Sequence, residues 1–213
     1  DALTLLQREH TAAAHFYTAW ADVAASDGTG ISQHRAAQHR AAARRHRQRA
    51  ESTHDTLNAQ LWRGDLGYHV ALNVSSRTPI AAKTYAVVYP LWARLVNRSQ
   101  AASIASLLGS SEMLSAVGLR SASALDPRYS NADTIIPYSN WRGPAWVNVN
   151  AMACYGLAAY GFRDLALEIA SRVTGALAAD LRSTAPSGHT WHEAYSTDSG
   201  APIGGRGFLS WDT

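Results

Sequence analysis

Apolar residues recur at helical spacing over most of the chain, and interruptions in that spacing divide it into segments. A first helix contains Leu3 and Trp20 and ends at the turn-forming residues 27–30, and a second, with alanines along one face, spans about 32–62. After Pro144, which suits an early helix position, the pattern predicts an apolar helix that Gly161 ends. This apolar helix spans 146–160. The remaining predicted elements are an extended segment at 66–74, helices at 86–96 and 100–108, and an amphipathic helix at 164–181.

Two long loops separate the predicted helix pairs. Residues 119–137 are rich in Ser, Asp, Asn and Pro, and residues 186–207 contain five glycines before an apolar stretch restarts at Phe208. Loops of this length in a compact domain usually shape a site. Helix pairs with long loops between them favour an all-α toroid whose loops gather at one end.

The composition supports a single globular domain over residues 1–213. Hydrophobic residues make up 46% of the chain, which is enough to bury a core, and the abundance of alanine favours helices. The single cysteine, Cys154, lies in an apolar stretch, so we expect a buried thiol and no internal disulfide. Both ends of the sequence fall within helical or apolar patterns, so we expect the chain to be cut from a longer domain.

The net charge of +3 comes from one short region. Six arginines and no acid lie between His34 and Arg49, and the rest of the chain carries 13 basic and 16 acidic residues. No aromatic residue that could stack on a base lies among these arginines, so a solvated helix face is favoured over a nucleic-acid site. The sequence contains no run of about eighteen apolar residues, so it predicts no membrane span.

Aromatic and polar residues cluster in and beside the two long loops. Trp141, Trp146 and Trp191 could present flat apolar faces to sugar rings. Alternatively, these tryptophans pack the ends of the helices. The neighbouring side chains that could hydrogen-bond sugar hydroxyls are Arg142, Asn148, Asn150 and His192.

Two segments carry a family resemblance. Residues 138–150, YSNWRGPAWVNVN, resemble the WRGPxW…N motif of family 63 glycoside hydrolases. Residues 191–195, WHEAY, with 197–200 and 204–211, are similar to the E-x-Y…G…GFxxW block of that family. Together with shorter matches at 61–62, 67–68 and 89–92, the resemblance covers most of the chain from about Leu57 onward.

The resemblance implies part of an (α/α)6 barrel that hydrolyses α-glucosidic or α-mannosidic bonds with inversion. It implies that Glu193 is the general base, that an Asp upstream of this chain is the general acid, and that no cofactor or metal takes part. Carbohydrate is then the partner, with neither nucleic acid nor membrane. The residues expected to bind substrate are Trp141, Arg142, Gly143, Trp146, Asn148, Trp191, His192 and Tyr195.

Several other readings of the same residues are open. A trehalase-like or other six-hairpin glycosidase shares the toroid and its paired carboxylates, and a carbohydrate-binding fragment without activity would also match. His189, His192 and Glu193 lack the HExxH order and helix of a zinc site. We expect turn, cap or surface roles for Asp126, Asp133, Asp180, Asp198 and Asp212, and self-association of the isolated chain through uncovered helix faces.

Overall fold

The computed structural model describes residues 2–26, 29–132, 134–135, 138–184 and 192–203. The chain divides into two compact units, Asp1–Trp62 and Arg63–Thr213. Within the described residues, no helix combines the length and the apolar character needed to cross a bilayer.

The first unit is a hairpin of two long helices, α1 (Ala2–Ala25) and α2 (Gly30–Leu61). Thr29 caps α2 by accepting a hydrogen bond from the Ser32 amide at 3.2 Å. The arginines of α2 are exposed, so the predicted solvated face is confirmed. The buried face of α2 includes small and apolar side chains seven residues apart, namely Ala36, Ala43, Ala50 and Leu57.

Exposed apolar side chains also lie on this hairpin, among them Phe16, Trp20 and Ile31. They are uncovered helix faces of the kind from which self-association was predicted, and self-association itself stays a prediction.

The second unit begins with short elements and a well-capped helix. A 3-10 turn (Tyr85–Val87) leads into α3 (Val88–Trp92), and α4 (Arg98–Leu108) follows. The α-helix is shorter than the one predicted at 86–96, because Arg94 adopts a left-handed backbone conformation with φ of 60°. Asn97 and Gln100 start α4 with a reciprocal capping box.

Two further helices, α5 (Val147–Ala159) and α6 (Arg163–Thr184), pack against each other, as predicted. Gly161, with φ of 91°, makes the turn between them, and the Phe162 amide donates to the Leu157 carbonyl at 2.9 Å. On its other side α5 packs against α3.

The strands of the described residues are each two residues long. They are β1 (Trp62–Arg63), β2 (Tyr68–His69), β3 (Ala71–Leu72), β4 (Pro79–Ile80), β5 (Leu114–Ser115), β6 (Gly118–Leu119), β7 (Thr134–Ile135), β8 (Tyr138–Ser139), β9 (Ala145–Trp146), β10 (Ala194–Tyr195) and β11 (Pro202–Ile203). Strands β3 and β4, β5 and β6, and β7 and β8 form hairpins, and a three-stranded antiparallel sheet has the order β11-β10-β9. The extended segment predicted at 66–74 contains β2 and β3.

Gly156 sets how closely α5 approaches α3, and this predicts opposite effects for two glycine substitutions. A Cβ at Gly156 would lie 2.9 Å from the Trp92 amide nitrogen, whereas a Cβ at Gly175 in α6 has no heavy atom within 4 Å. We expect Gly156→Ala to destabilise the protein by about 1–3 kcal/mol through overpacking. Gly175→Ala should stabilise it by roughly 0.5–1 kcal/mol, because alanine loses less backbone entropy in a helix.

Denaturant titration of both variants in the full-length protein checks these values. A Gly156→Ala variant that is stabilised as Gly175→Ala is expected to be would contradict the close approach of α5 and α3.

Candidate active site

The three-stranded sheet brings the two motif segments side by side. Ala194 pairs with Trp146, and Tyr195 pairs with Ala145. Just beyond this register, the Val147 amide donates to the Glu193 carbonyl at 3.1 Å. Strand β11 pairs with the other edge of β10. The strand that begins directly after Glu193 is therefore paired along both edges.

A stacked pair of indoles lies in the first motif segment. The rings of Trp141 and Trp146 are 3.9 Å apart between centroids and inclined by only 5°. Trp146 is buried, and its Nε1 donates to the Asn140 carbonyl at 2.9 Å, whereas Trp141 is partly exposed. The buried ring of Trp146 therefore packs against one face of the Trp141 ring.

Two tyrosines extend this aromatic cluster. The Tyr85 ring lies 4.8 Å from Trp141, and Tyr89 meets Tyr85 edge-on at 6.0 Å. Burial raises the pKa of both phenols, and Tyr85 raises that of Tyr89 further. Both phenols thus keep their protons, and stay hydrogen-bond donors, well above neutral pH.

The turn between Asn140 and Gly143 is held by side chain to backbone hydrogen bonds. The buried Asn140 side chain donates from Nδ2 to the carbonyls of Ser130 and Ala132 at 2.8 Å each. Its Oδ1 accepts from the backbone amide of Arg142 at 2.9 Å. A Cβ at Gly143 would lie 2.5 Å from the Ser130 carbonyl oxygen. Only glycine fits there, which explains the Gly of the WRGP sequence by packing.

Hydrogen bonds also join the two long loops. Thr197 donates from its amide to the Asn131 side chain at 3.0 Å and from its hydroxyl to the Gly143 carbonyl at 3.1 Å. The Tyr129 hydroxyl lies 2.7 Å from the Thr197 hydroxyl and donates to Asp198 at 2.8 Å. The expectation that the long loops come together is met in their described parts.

The entrance to β10 is built around a buried carboxylate. Asp180 of α6 accepts hydrogen bonds on Oδ2 from His192 Nδ1 at 2.8 Å and from the Tyr195 hydroxyl at 2.9 Å. The expectation of a turn, cap or surface role for Asp180 is therefore wrong, because its side chain is 1% exposed. His192, Glu193 and Tyr195 are themselves buried.

The other acids behave as expected or lie outside the described residues. Asp126 accepts from the amide and guanidinium of Arg128, and these bonds, led by those from the guanidinium, lower the pKa of Asp126 to about 2. Burial alone would raise the pKa of Glu112, but hydrogen bonds from Lys83 and Ser123 lower it below its usual value. Asp133 and Asp212 lie outside the described residues.

The remaining predicted site residues are less tightly connected to Glu193. Arg142 is exposed, and the Asn148 side chain accepts from the Val149 amide at 2.8 Å. Asn150 is buried and accepts from the Leu119 amide at 2.7 Å, so it fastens β6 to α5. Trp191 and the glycines at 204–207 lie outside the described residues. Where the chain is described, no three His, Cys, Asp or Glu side chains are arranged to hold a metal ion.

Some contributors to the site carry no local signal in the sequence. His192 and Tyr195, which donate to Asp180, lie 12 and 15 residues further along the chain, and two of the partners of the Tyr129 hydroxyl lie 68 and 69 residues away. Asn140 was detectable, since it directly precedes the WRGP sequence.

Comparisons with known proteins agree with this architecture. The family model of the mannosylglycerate hydrolase MGH1-like glycoside hydrolase domain matches residues 14–211. Mannosylglycerate hydrolase from Thermus thermophilus is 30% identical over 151 residues, which cover 71% of this chain and 32% of that protein. The chain thus spans about a third of the length of this relative.

Solved structures show the same fold. The family 63 mannosylglycerate hydrolase from Thermus thermophilus, in complex with Tris and D-glycerate, matches with 26% identity and a TM-score of 0.65, over 84% of this chain and 40% of that one. Neutral trehalase from Saccharomyces cerevisiae, at 18% identity, matches with a TM-score of 0.57 over 76% of this chain and 28% of its own. The predicted fold class, part of an (α/α)6 toroid, is confirmed.

The family match covers both compact units and includes both motif segments. The resemblance to family 63 is confirmed. The chain belongs to the family of mannosylglycerate hydrolase MGH1-like glycoside hydrolase domains.

Proposed function

We propose that this chain supplies the general base of an inverting α-glycosidase that acts on α-mannosides or α-glucosides. The observation that carries this proposal is the pairing of β9 with β10, in which the Glu193 carbonyl accepts from the amide of Val147, the residue after Trp146. The similarity to a mannosylglycerate hydrolase supports the choice of substrate class.

In this mechanism Glu193 removes a proton from the water that attacks the anomeric carbon. The base must be held accurately, because a small displacement of a reacting group reduces the rate steeply. Backbone pairing on both sides of β10 and the bond from Val147 to the Glu193 carbonyl supply that rigidity. Inversion requires the second carboxyl to lie about 6.5–9.5 Å away, so that water fits between base and sugar.

We assign the general acid to an Asp in the part of the enzyme that this chain does not span. The chain covers 32% of the relative's length, so the rest of such a protein has ample room for it. An acid from a separate segment would place the two carboxyls on opposite faces of the bound sugar, as inversion requires.

The sugar is proposed to rest on Trp141, with Arg142, Asn148, His192 and Tyr195 close to its hydroxyls. Trp146 stacks on one face of Trp141, whose side chain is partly exposed. Trp146 then contributes to binding by holding Trp141, and Gly143 by allowing the turn between them. Trp191, which precedes His192 in the sequence, completes the proposed set of substrate-binding residues.

Substitution of the two stacked tryptophans should separate binding from packing. In the full-length enzyme we expect Trp141→Ala to raise KM for mannosylglycerate about tenfold, since an aromatic contact contributes roughly 0.5–1.5 kcal/mol beyond its buried area. Trp146→Ala should lower stability by about 3–5 kcal/mol, because it removes a buried ring. Steady-state kinetics and thermal denaturation measure the two effects, and a loss of fold in both variants would assign both rings to packing.

Replacement of the proposed base should slow the chemical step. Glu193→Gln keeps the shape of the side chain but cannot accept a proton, so we expect kcat to fall at least about a hundredfold. KM should change little, because ground-state contacts survive. Initial rates of mannosylglycerate and glucosylglycerate hydrolysis by the full-length enzyme measure this.

The matched control is Glu168→Gln, the same change at an exposed site in α6. It should leave kcat unchanged. Near-normal turnover by Glu193→Gln would remove this residue from the role of base and favour a different carboxylate.

A further inference from the structure

The geometry points to Asp180 as the positioning residue of the proposed base. Asp180 lies in the last turns of α6, and its side chain is 1% exposed. A carboxylate at such depth is unfavourable unless hydrogen bonds replace its hydration. Its partners are therefore informative about what this position does.

Hydrogen-bond donors to Asp180 Oδ2 come from residues on both sides of Glu193 in the sequence. Oδ2 accepts from the His192 amide at 3.2 Å, from His192 Nδ1 at 2.8 Å and from the Tyr195 hydroxyl at 2.9 Å. The His192 amide also lies 3.2 Å from the Tyr195 hydroxyl oxygen, which closes a triangle of polar groups. One oxygen of α6 thus holds the chain immediately before and shortly after Glu193.

This arrangement completes the restraint on Glu193. The β9 side is held through the Glu193 carbonyl, which accepts from the Val147 amide, and the α6 side is held through Asp180. Hydrogen bonds to an ionised acceptor are about twice as strong as those between neutral groups. Asp180 therefore fixes the segment more firmly than a neutral side chain of the same size.

Asp180 also selects the proton arrangement of the His192 ring. A carboxylate only accepts, so Nδ1 of His192 must carry the hydrogen in this contact. In the neutral ring, Nε2 is then left as a hydrogen-bond acceptor.

Because Glu193 is the base only in the function proposed above, the role of Asp180 rests on that function. Asp180→Asn keeps the size of the side chain and removes its charge. In the full-length enzyme we expect this change to lower kcat about ten- to fiftyfold, with a smaller change in KM, since misplacement of the base affects the transition state most. Asp164→Asn is the matched control, because Asp164 is exposed in the first turn of the same helix, and it should leave kcat unchanged.

The decisive measurement repeats Asp180→Asn in the Glu193→Gln background. If Asp180 acts through Glu193, the second substitution should lower kcat by less than about threefold, because the group that it positions is already disabled. A merely structural Asp180 would lower kcat by the same factor in both backgrounds, and that result would overturn the inference while leaving Glu193 as the base. Near-normal turnover by Glu193→Gln alone would instead overturn the proposed function, and the positioning role with it.

If Asp180→Asn does not fold, Tyr195→Phe supplies the same test. It removes the hydroxyl that donates to Asp180 and contacts the His192 amide, and it keeps the buried ring. We expect a loss of about three- to tenfold in kcat, again nearly absent in the Glu193→Gln background. Equal losses in both backgrounds would contradict positioning through this network.

Discussion

Two residues of β10 pair with two residues of β9, and the candidate active site depends on that contact. It joins segments almost fifty residues apart, one with the stacked tryptophans and one with Glu193. The pairing is short, so its own hydrogen bonds cannot account for a rigid site. Rigidity comes from the surrounding contacts, chiefly Asp180 from α6 and the Thr197 bonds between the long loops.

Buried polar side chains shape this region as strongly as its apolar packing does. Asn140 holds the WRGP turn, Asn150 fastens β6 to α5, and Asp180 holds the entrance to β10. Each forms hydrogen bonds with backbone groups of other segments. Such networks favour one arrangement of the loops over others, which suits the accurate placement of groups that the proposed function requires.

The sequence predicted what depends on local pattern. The α5–α6 pair followed from hydrophobic period and from Gly161, and the motif residues indicated the family, whereas the role of Glu193 stays a prediction. It could not predict the role of Asp180, since a helical Asp gains its partners only through the fold, nor the early end of α3, since a non-glycine residue such as Arg94 gives no sign of a left-handed backbone. The two tryptophans also look alike in sequence, and only the fold shows that Trp146 is buried and Trp141 partly exposed.

The stereochemistry of the reaction tests the central claim, that Glu193 activates water for direct attack on the anomeric carbon. Proton NMR of the full-length enzyme with α-configured mannosylglycerate, recorded in the first minutes before the free sugar mutarotates, measures it. We expect β-mannose to appear first, because a single displacement inverts the anomeric centre. Initial release of α-mannose would show retention through a covalent intermediate and would contradict the assignment of Glu193 as the base of an inverting enzyme.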